Sequence, residues 1–291
     1  MKNLLVCGDS WTFGSEIRNP ILPEHIKDWD THNNPYRIPR IWPTLIASQN
    51  DWNVTNISYP AASNDRIVRT FESWIHENYI SQNKDTKDLM VIIGWTSPER
   101  KDFFYTDPMK KGMPNWTTIW PNQVGFDYVQ PGMNDFFKLY VTFLSDQREA
   151  FNRYVHQVTS VENLCKVHNI EYLMFQAFYD TGMGVHGSND TETFKDIINK
   201  DYINNDFVKA EIGHEHPGWH YHYGNELTKT MWDSVSEKRF YRKNETPHSF
   251  FGWLKEQDDM DKVIHGQHPS EYGHKLWADE INKYIKEELQ W

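Results

Sequence analysis

A serine hydroxyl attacks an acyl carbon efficiently only when a base removes its proton, and imidazole is the side chain suited to that task near neutral pH. Ser10 and His268 are residues of these types, each in a context that would present it. Ser10 lies in Leu5-Val6-Cys7-Gly8-Asp9-Ser10-Trp11-Thr12-Phe13-Gly14, an apolar run followed by a turn with glycines on both sides. A serine directly after a buried strand stands at the carboxyl edge of a sheet, where open α/β folds take their ligands. His268 lies in His268-Pro269-Ser270-Glu271-Tyr272-Gly273-His274, where Pro269 and Ser270 fix the entry to a final helix. The pair predicts nucleophilic acyl chemistry if the two ends of the chain meet. Asp9 is expected to hydrogen-bond the turn amides, and His274 to be structural.

The elements that must position these groups alternate. Asn3 to Cys7 reads as a first strand, Trp52 to Ser58 as a second, Leu89 to Ile93 as a third and Ile170 to Phe178 as a fourth. The continuous apolar runs suit strands covered on both faces. Helical patterns occupy Ile38 to Asn50, a stretch opened by Ser63-Asn64-Asp65, Asp135 to His168, and Ser270 to Gln290. Residues 15–37 read as a polar loop insertion. Residues 98–134, with Pro108, Gly112, Pro114 and Pro121, read as an irregular excursion, and residues 179–263 as a long mixed insertion or lid. Strands alternating with helices predict one α/β domain spanning 1–291, a parallel sheet with helices on both faces, interrupted by insertions at 98–134 and 179–263.

Composition narrows the partners. Of the 291 residues 38% are hydrophobic, enough for a sizeable core. The net charge of −11 repels phosphate backbones and anionic lipid, so neither nucleic acid nor a membrane surface is an expected partner. No apolar stretch approaches the roughly 20 residues of a membrane span, and the short run after Lys2 suits a strand better than a signal peptide. The expected setting is cytoplasmic or virion-associated. Cys7 and Cys165 both sit in apolar contexts, which predicts free thiols and no disulfide scaffold. His214, His216, His220 and His222 lie close together, but their spacing fits no standard structural zinc pattern and no Cys accompanies them. They are read as packing or cleft residues, and neither metal nor cofactor is expected.

The two motifs resemble those of the SGNH (GDSL-type) hydrolase superfamily. Its Gly-Asp-Ser block with a following Gly is matched by Gly8-Asp9-Ser10 and Gly14, and its terminal His by His268-Pro269. The middle blocks correspond to Tyr59-Pro60-Ala61-Ala62-Ser63-Asn64 and to Gly94-Trp95-Thr96-Ser97. The resemblance implies a three-layer sandwich with a flavodoxin-like parallel sheet, Ser10 as nucleophile and His268 as base. It also implies an oxyanion hole from the Ser10 N–H, an Ala61 or Ala62 N–H, and Asn64 or Thr96, with Gly94 beside them. Three positions depart from the family pattern. The second-block Gly appears as Ala61 or Ala62, the third-block Asn as Thr96, and the Asp three residues before the histidine as His265. A backbone carbonyl, or Asp259 or Asp261, could orient His268 instead.

The implied activity is hydrolysis of a small ester or an acylated carbohydrate, with acetyl the expected acyl group. Arg100 could meet an anionic substrate group, although an ion pair with a nearby carboxylate is the stronger expectation. The 15% aromatic content agrees with sugar stacking and equally with core filling. Two other readings share the site. One is a weakened or inactive binding or assembly module, such as a viral structural or glycan-binding component, and the other is acyl transfer.

Overall fold

The computed structural model describes residues 2–107, 113–119, 135–136, 139–140, 147–177, 225–243, 245 and 249–291. The His214–His222 cluster lies outside them.

Four parallel strands make the central sheet: β1 (Asn3–Cys7), β2 (Asn53–Asn56), β3 (Leu89–Trp95) and, after two further strands, β6 (Glu171–Gln176). Their order is β2-β1-β3-β6, the order of the flavodoxin-like class of doubly wound sheets. Register carries Cys7 opposite Ile93 and Trp95 opposite Gln176. Because the strands are parallel, the loops that follow them open on one edge. β1 has a neighbour on each side reached in opposite directions, so the switch point of the topology lies beside β3, where such folds open a crevice.

Alternation along the strands sends side chains to two cores. Leu5, Cys7, Val91 and Ile93 pack on one face with Ile67, Phe71 and Ile75 of α3 (Asn64–Ile75) and with Tyr154, Val155 and Val158 of α4 (Gln147–Val167). Leu4, Val6, Met90 and Ile92 pack on the other with Trp42 and Ile46 of α2 (Trp42–Asn50), Phe250 and Trp253 of α6 (Phe250–Gln257), and Trp277 and Ile281 of α8 (Glu271–Tyr284). The result is a three-layer α/β architecture. Helices begin where the sequence supplies caps: the Ser63 hydroxyl accepts from the Arg66 N–H, and the Ser270 hydroxyl from the Gly273 N–H. Cys7 and Cys165 are free, buried thiols, and burial raises the pKa of each. Among the described residues no helix is long and apolar enough to cross a membrane.

Two regions differ from their sequence-based expectation. Within 98–134, β4 (Lys101–Asp107) and β5 (Met113–Ile119) form a regular antiparallel hairpin. It is fixed to α3 by the buried Asp102, which accepts hydrogen bonds from Ser63 Oγ (2.7 Å), Thr118 Oγ1 (2.7 Å) and Arg69 Nη2 (2.8 Å). Within 179–263, the chain from Asn225 onward builds core. Trp232 of α5 (Asn225–Ser234) and Phe240 complete one face, and Tyr241, Phe250 and Leu254 the other. Parallel bridges Met174–Phe240 and Gln176–Ser249 continue the sheet beyond β6. The described part of the segment read as an insertion or lid thus extends the sheet past β6 and fills both cores.

Candidate active site

Ser10 opens α1 (Ser10–Phe13), a single helical turn lying on the ends of β1 and β3. Thr12 explains how it can lie there. A Cβ on Gly8 would come within 2.7 Å of Thr12 Cβ, and a Cβ on Gly94 within 2.9 Å of Thr12 Oγ1 and 2.8 Å of Phe175 Cζ. Two glycines on adjacent strand ends therefore make the slot into which Thr12 drops. The Asp9 carboxylate caps the turn, accepting from the Trp11 N–H at 2.9 Å. Arg37 closes its other end by donating to the Phe13 carbonyl. Gly94, expected beside the oxyanion, packs against Thr12 and Phe175 at this slot.

Asp9 is fully buried, and desolvation raises its pKa against the lowering effects of Arg100, Thr96, the Trp11 amide and His268. Arg100 Nη1 stands 3.5 Å from Asp9 Oδ2 and donates to the Ala62 carbonyl at 3.2 Å. Arg100 therefore ties the loop after β1 to the loop after β2, which fits the ion-pair expectation.

The loop after β2 sets Ala61 and Ala62 apart. Tyr59 donates its N–H to the Gly8 carbonyl (3.2 Å), and the Ala62 N–H returns to the Tyr59 carbonyl (3.1 Å). With Pro60 second and Ala61 third at φ +59°, the segment has the pattern of a type II turn. Ala61 occupies the left-handed place that glycine would favour. The Ala62 amide is consumed inside the turn. The Ser10 and Ala61 amides have no acceptor among the described residues. Asn64 receives the Thr96 N–H on Oδ1 (2.9 Å) and donates one Nδ2 hydrogen to the Thr96 carbonyl (3.1 Å). It clamps the end of β3 to the start of α3, and its second amide hydrogen has no acceptor among the described residues. Thr96 is fully buried beside Asp9.

His268 arrives on a tight hairpin. α7 (Met260–Val263) runs into β7 (Ile264–His265), which pairs antiparallel with β8 (His268–Pro269) through Gly266-Gln267. A positive φ at the first turn residue only, Gly266 at +59°, is the signature of a type II′ turn. The hairpin approaches α1 to within 8 Å, Cα to Cα, and the His268 ring lies 6.4 Å from the Trp11 ring, centroid to centroid. The first and last segments of the chain thus share one sheet edge. Among the described residues no hydrogen bond joins the Ser10 hydroxyl to His268. Such bonds commonly tighten only when substrate is bound.

None of the expected carboxylates serves His268. His265 is exposed and meets His268 through backbone pairing. Asp259 caps α7, and Asp261 is exposed. The group that reaches the imidazole is Glu16, whose Oε2 lies 3.3 Å from the buried Nδ1 and accepts the Gln267 N–H at 3.0 Å. Sequence reasoning misses Glu16 because it sits in the polar stretch 15–37, 251 positions from its amide partner. His274 is fully buried in α8. Its Nδ1 accepts the Trp42 N–H at 3.3 Å, and burial pushes its pKa down to about 3, with His268 and Arg37 adding to the shift. Among the described residues there is no group of three or more His, Cys, Asp and Glu that could hold a metal ion.

Solved structures similar in fold include a psychrotrophic esterase from Pseudoalteromonas sp. (11% identity, all of both chains covered, TM-score 0.43). Others are a lipolytic protein of the G-D-S-L family from Veillonella parvula (13%, 98% of each chain, 0.42) and a lipase/acylhydrolase from Enterococcus faecalis (9%, 98% of this chain and 96% of that one, 0.40). No curated protein matches the sequence. One family model matches residues 22–195, a stretch that holds Ala61, Asn64, Thr96 and Arg100 but neither Ser10 nor His268. By that match the chain belongs to DUF6071, a family of unknown function.

Proposed function

We propose that this protein is a serine ester hydrolase in which Ser10 is the nucleophile and His268 the general base. The observation that carries the reading is the convergence of the Ser10 turn and the His268 hairpin, from opposite ends of the chain, on the carboxyl edge of the sheet. In the proposed cycle Ser10 Oγ bonds to the acyl carbon while His268 Nε2 takes its proton. The tetrahedral intermediate collapses by breaking the bond to the alcohol oxygen, and His268 returns the proton to that oxygen. Water then attacks the acyl-enzyme, gives a proton to His268, and releases the carboxylic acid as Ser10 recovers its hydrogen. The free amides of Ser10 and Ala61 are the oxyanion donors, with the remaining Asn64 amide hydrogen as a third. Ala62 and Thr96 hold the turn and the strand end.

The proposed substrate is a small acyl ester, with acetyl on a carbohydrate the favoured class. Tyr59, 58% exposed on the second loop with Arg66 over its ring at 4.7 Å, offers a stacking surface near the site. The test is turnover of a chromogenic acetate ester. Wild type should hydrolyse it, Ser10→Ala should lose at least about 10³-fold in kcat, and a fluorophosphonate should label wild type alone. Equal rates would remove Ser10 as nucleophile.

A binding module is the second reading. It is favoured by the unmade Ser10–His268 hydrogen bond and by the internal use of the Ala62 amide. No fluorophosphonate labelling, together with saturable binding to an immobilised glycan, would select it.

A further inference from the structure

We propose that Glu16 is the positioning carboxylate for His268, taking the place of the acid that the GDSL-type pattern puts three residues before the histidine. The inference rests on the Ser10–His268 reading and deepens it. Three independent features converge on Glu16. First, a single oxygen, Oε2, accepts the Gln267 amide at 3.0 Å and faces the neighbouring His268 Nδ1 at 3.3 Å. That nitrogen is buried and makes no hydrogen bond among the described residues, so an N–H there has the Glu16 carboxylate to approach.

Second, the hairpin is shaped around the carboxylate. A Cβ on Gly266 would stand 2.4 Å from Glu16 Oε2 and 2.9 Å from its Cδ. The turn that carries His268 therefore leaves the space the acid fills. Third, Glu16 itself adopts φ +68°, a left-handed conformation that crowds a residue with a Cβ. Its N–H is held by Asp28 Oδ2 at 2.6 Å. Backbone held in this region by surrounding contacts, with its side chain at a candidate base, is the pattern found where geometry serves function.

A carboxylate on Nδ1 fixes the tautomer that keeps the proton there and leaves Nε2 free to take the proton of Ser10. The Glu16 side chain is 36% exposed, so solvent screens its charge, and its effect is one of orientation and tautomer.

The decisive variants are Glu16→Gln and Glu16→Asp in the full chain. Glu16→Gln presents an amide that can donate to Nδ1 and so admits the wrong tautomer. The expected result is a fall in kcat of about 10²–10⁴-fold with KM little changed, and partial recovery in Glu16→Asp. Nitrogen-15 NMR of the neutral His268 ring should show the Nδ1–H tautomer in wild type and a mixture in Glu16→Gln. An unchanged tautomer, or a loss of kcat that Glu16→Asp does not relieve, would make Glu16 a structural residue and overturn the proposal. Failure of the hydrolase reading looks different: Ser10→Ala then matches wild type and no fluorophosphonate adduct forms. The tautomer measurement still decides whether Glu16 governs His268.

Discussion

The nucleophile turn and the histidine hairpin bring the two proposed reacting groups to one edge, yet they are built from opposite materials. The turn is set by packing. Thr12 is fully buried between two strand-end glycines, Asp9 is buried under Arg100, and Trp11 packs edge-on to Phe250 and Phe251 at 5.2 and 5.5 Å. The hairpin packs Ile264 and Pro269 inward but is exposed at His265, Gly266 and Gln267, and there it is held by polar contacts. These are the Glu16 carboxylate, the Ser270 N–H to the Val263 carbonyl (2.9 Å) and Ser270 Oγ to the Lys262 carbonyl (2.5 Å). Close packing admits few alternative positions, whereas an exposed two-residue hairpin is weak by itself. The proposed nucleophile is thus fixed by the core, and the proposed base is met by one acid at the surface.

Matched glycine substitutions should break this comparison most visibly. Gly8→Ala drives a Cβ into Thr12 Cβ, which cannot retreat from the core, and overpacking of this kind costs about 1–3 kcal/mol. Ser10 shifts with α1, and a displacement near 1 Å is worth about 10²-fold in rate. Gly266→Ala instead meets the end of a flexible side chain. Its stability cost should be about 1–2 kcal/mol, that of a positive-φ alanine with no added clash in the core, while the displaced Glu16 lowers kcat. Urea denaturation and ester kinetics on both variants separate the cases. Equal stability losses would mean that the hairpin is packed as tightly as the turn.

The histidine side also has a buried titratable group, and pH should expose it. His274 sits at the start of the helix that follows the hairpin and accepts the Trp42 amide. Its pKa near 3 in the folded protein lies below the ordinary 6.5. Between those values the unfolded chain binds a proton that the folded chain refuses, so the stabilising contribution is complete above about pH 6.5 and is lost as pH falls toward 3. The slope is about 1.4 kcal/mol per pH unit in the middle of that window. His274→Gln keeps an acceptor for Trp42 without a titrating group. Its stability measured at pH 7, 6 and 5 should fall less steeply than that of wild type. Parallel curves would show that His274 titrates alike in both states.

The same contrast decides what the sequence discloses. β1 and β3 are continuous apolar runs, so strand identity, the two core faces and the carboxyl-edge position of Ser10 follow from local pattern. Ser63 and Ser270 announce their helices because capping is a local hydrogen bond. The β4–β5 hairpin is hidden by flanking Pro and Gly, and its buried anchor Asp102 is indistinguishable in sequence from a solvated acid. The role of 225–263 is hidden because Trp232 and Phe250 pack on strands far upstream. Glu16 is the extreme case. Its significance comes from a turn near the other terminus, and the remaining local trace is a glycine at 266 in a two-residue turn.

Ala61 gives the smallest effect and the finest test of the packed side. Its φ of +59° costs about 1–2 kcal/mol relative to an ordinary backbone, while a glycine there surrenders about 0.5–1 kcal/mol of chain entropy. Ala61→Gly should therefore stabilise the protein by roughly 0.5–1 kcal/mol. The main-chain N–H stays in place, so an oxyanion donor supplied by that amide predicts unchanged kcat. A stabilised variant with lower kcat would assign the Ala61 methyl group, and not its amide, to the substrate. A destabilised one would show that the turn after β2 is held by contacts of that methyl group, making it as finely packed as the slot that receives Thr12.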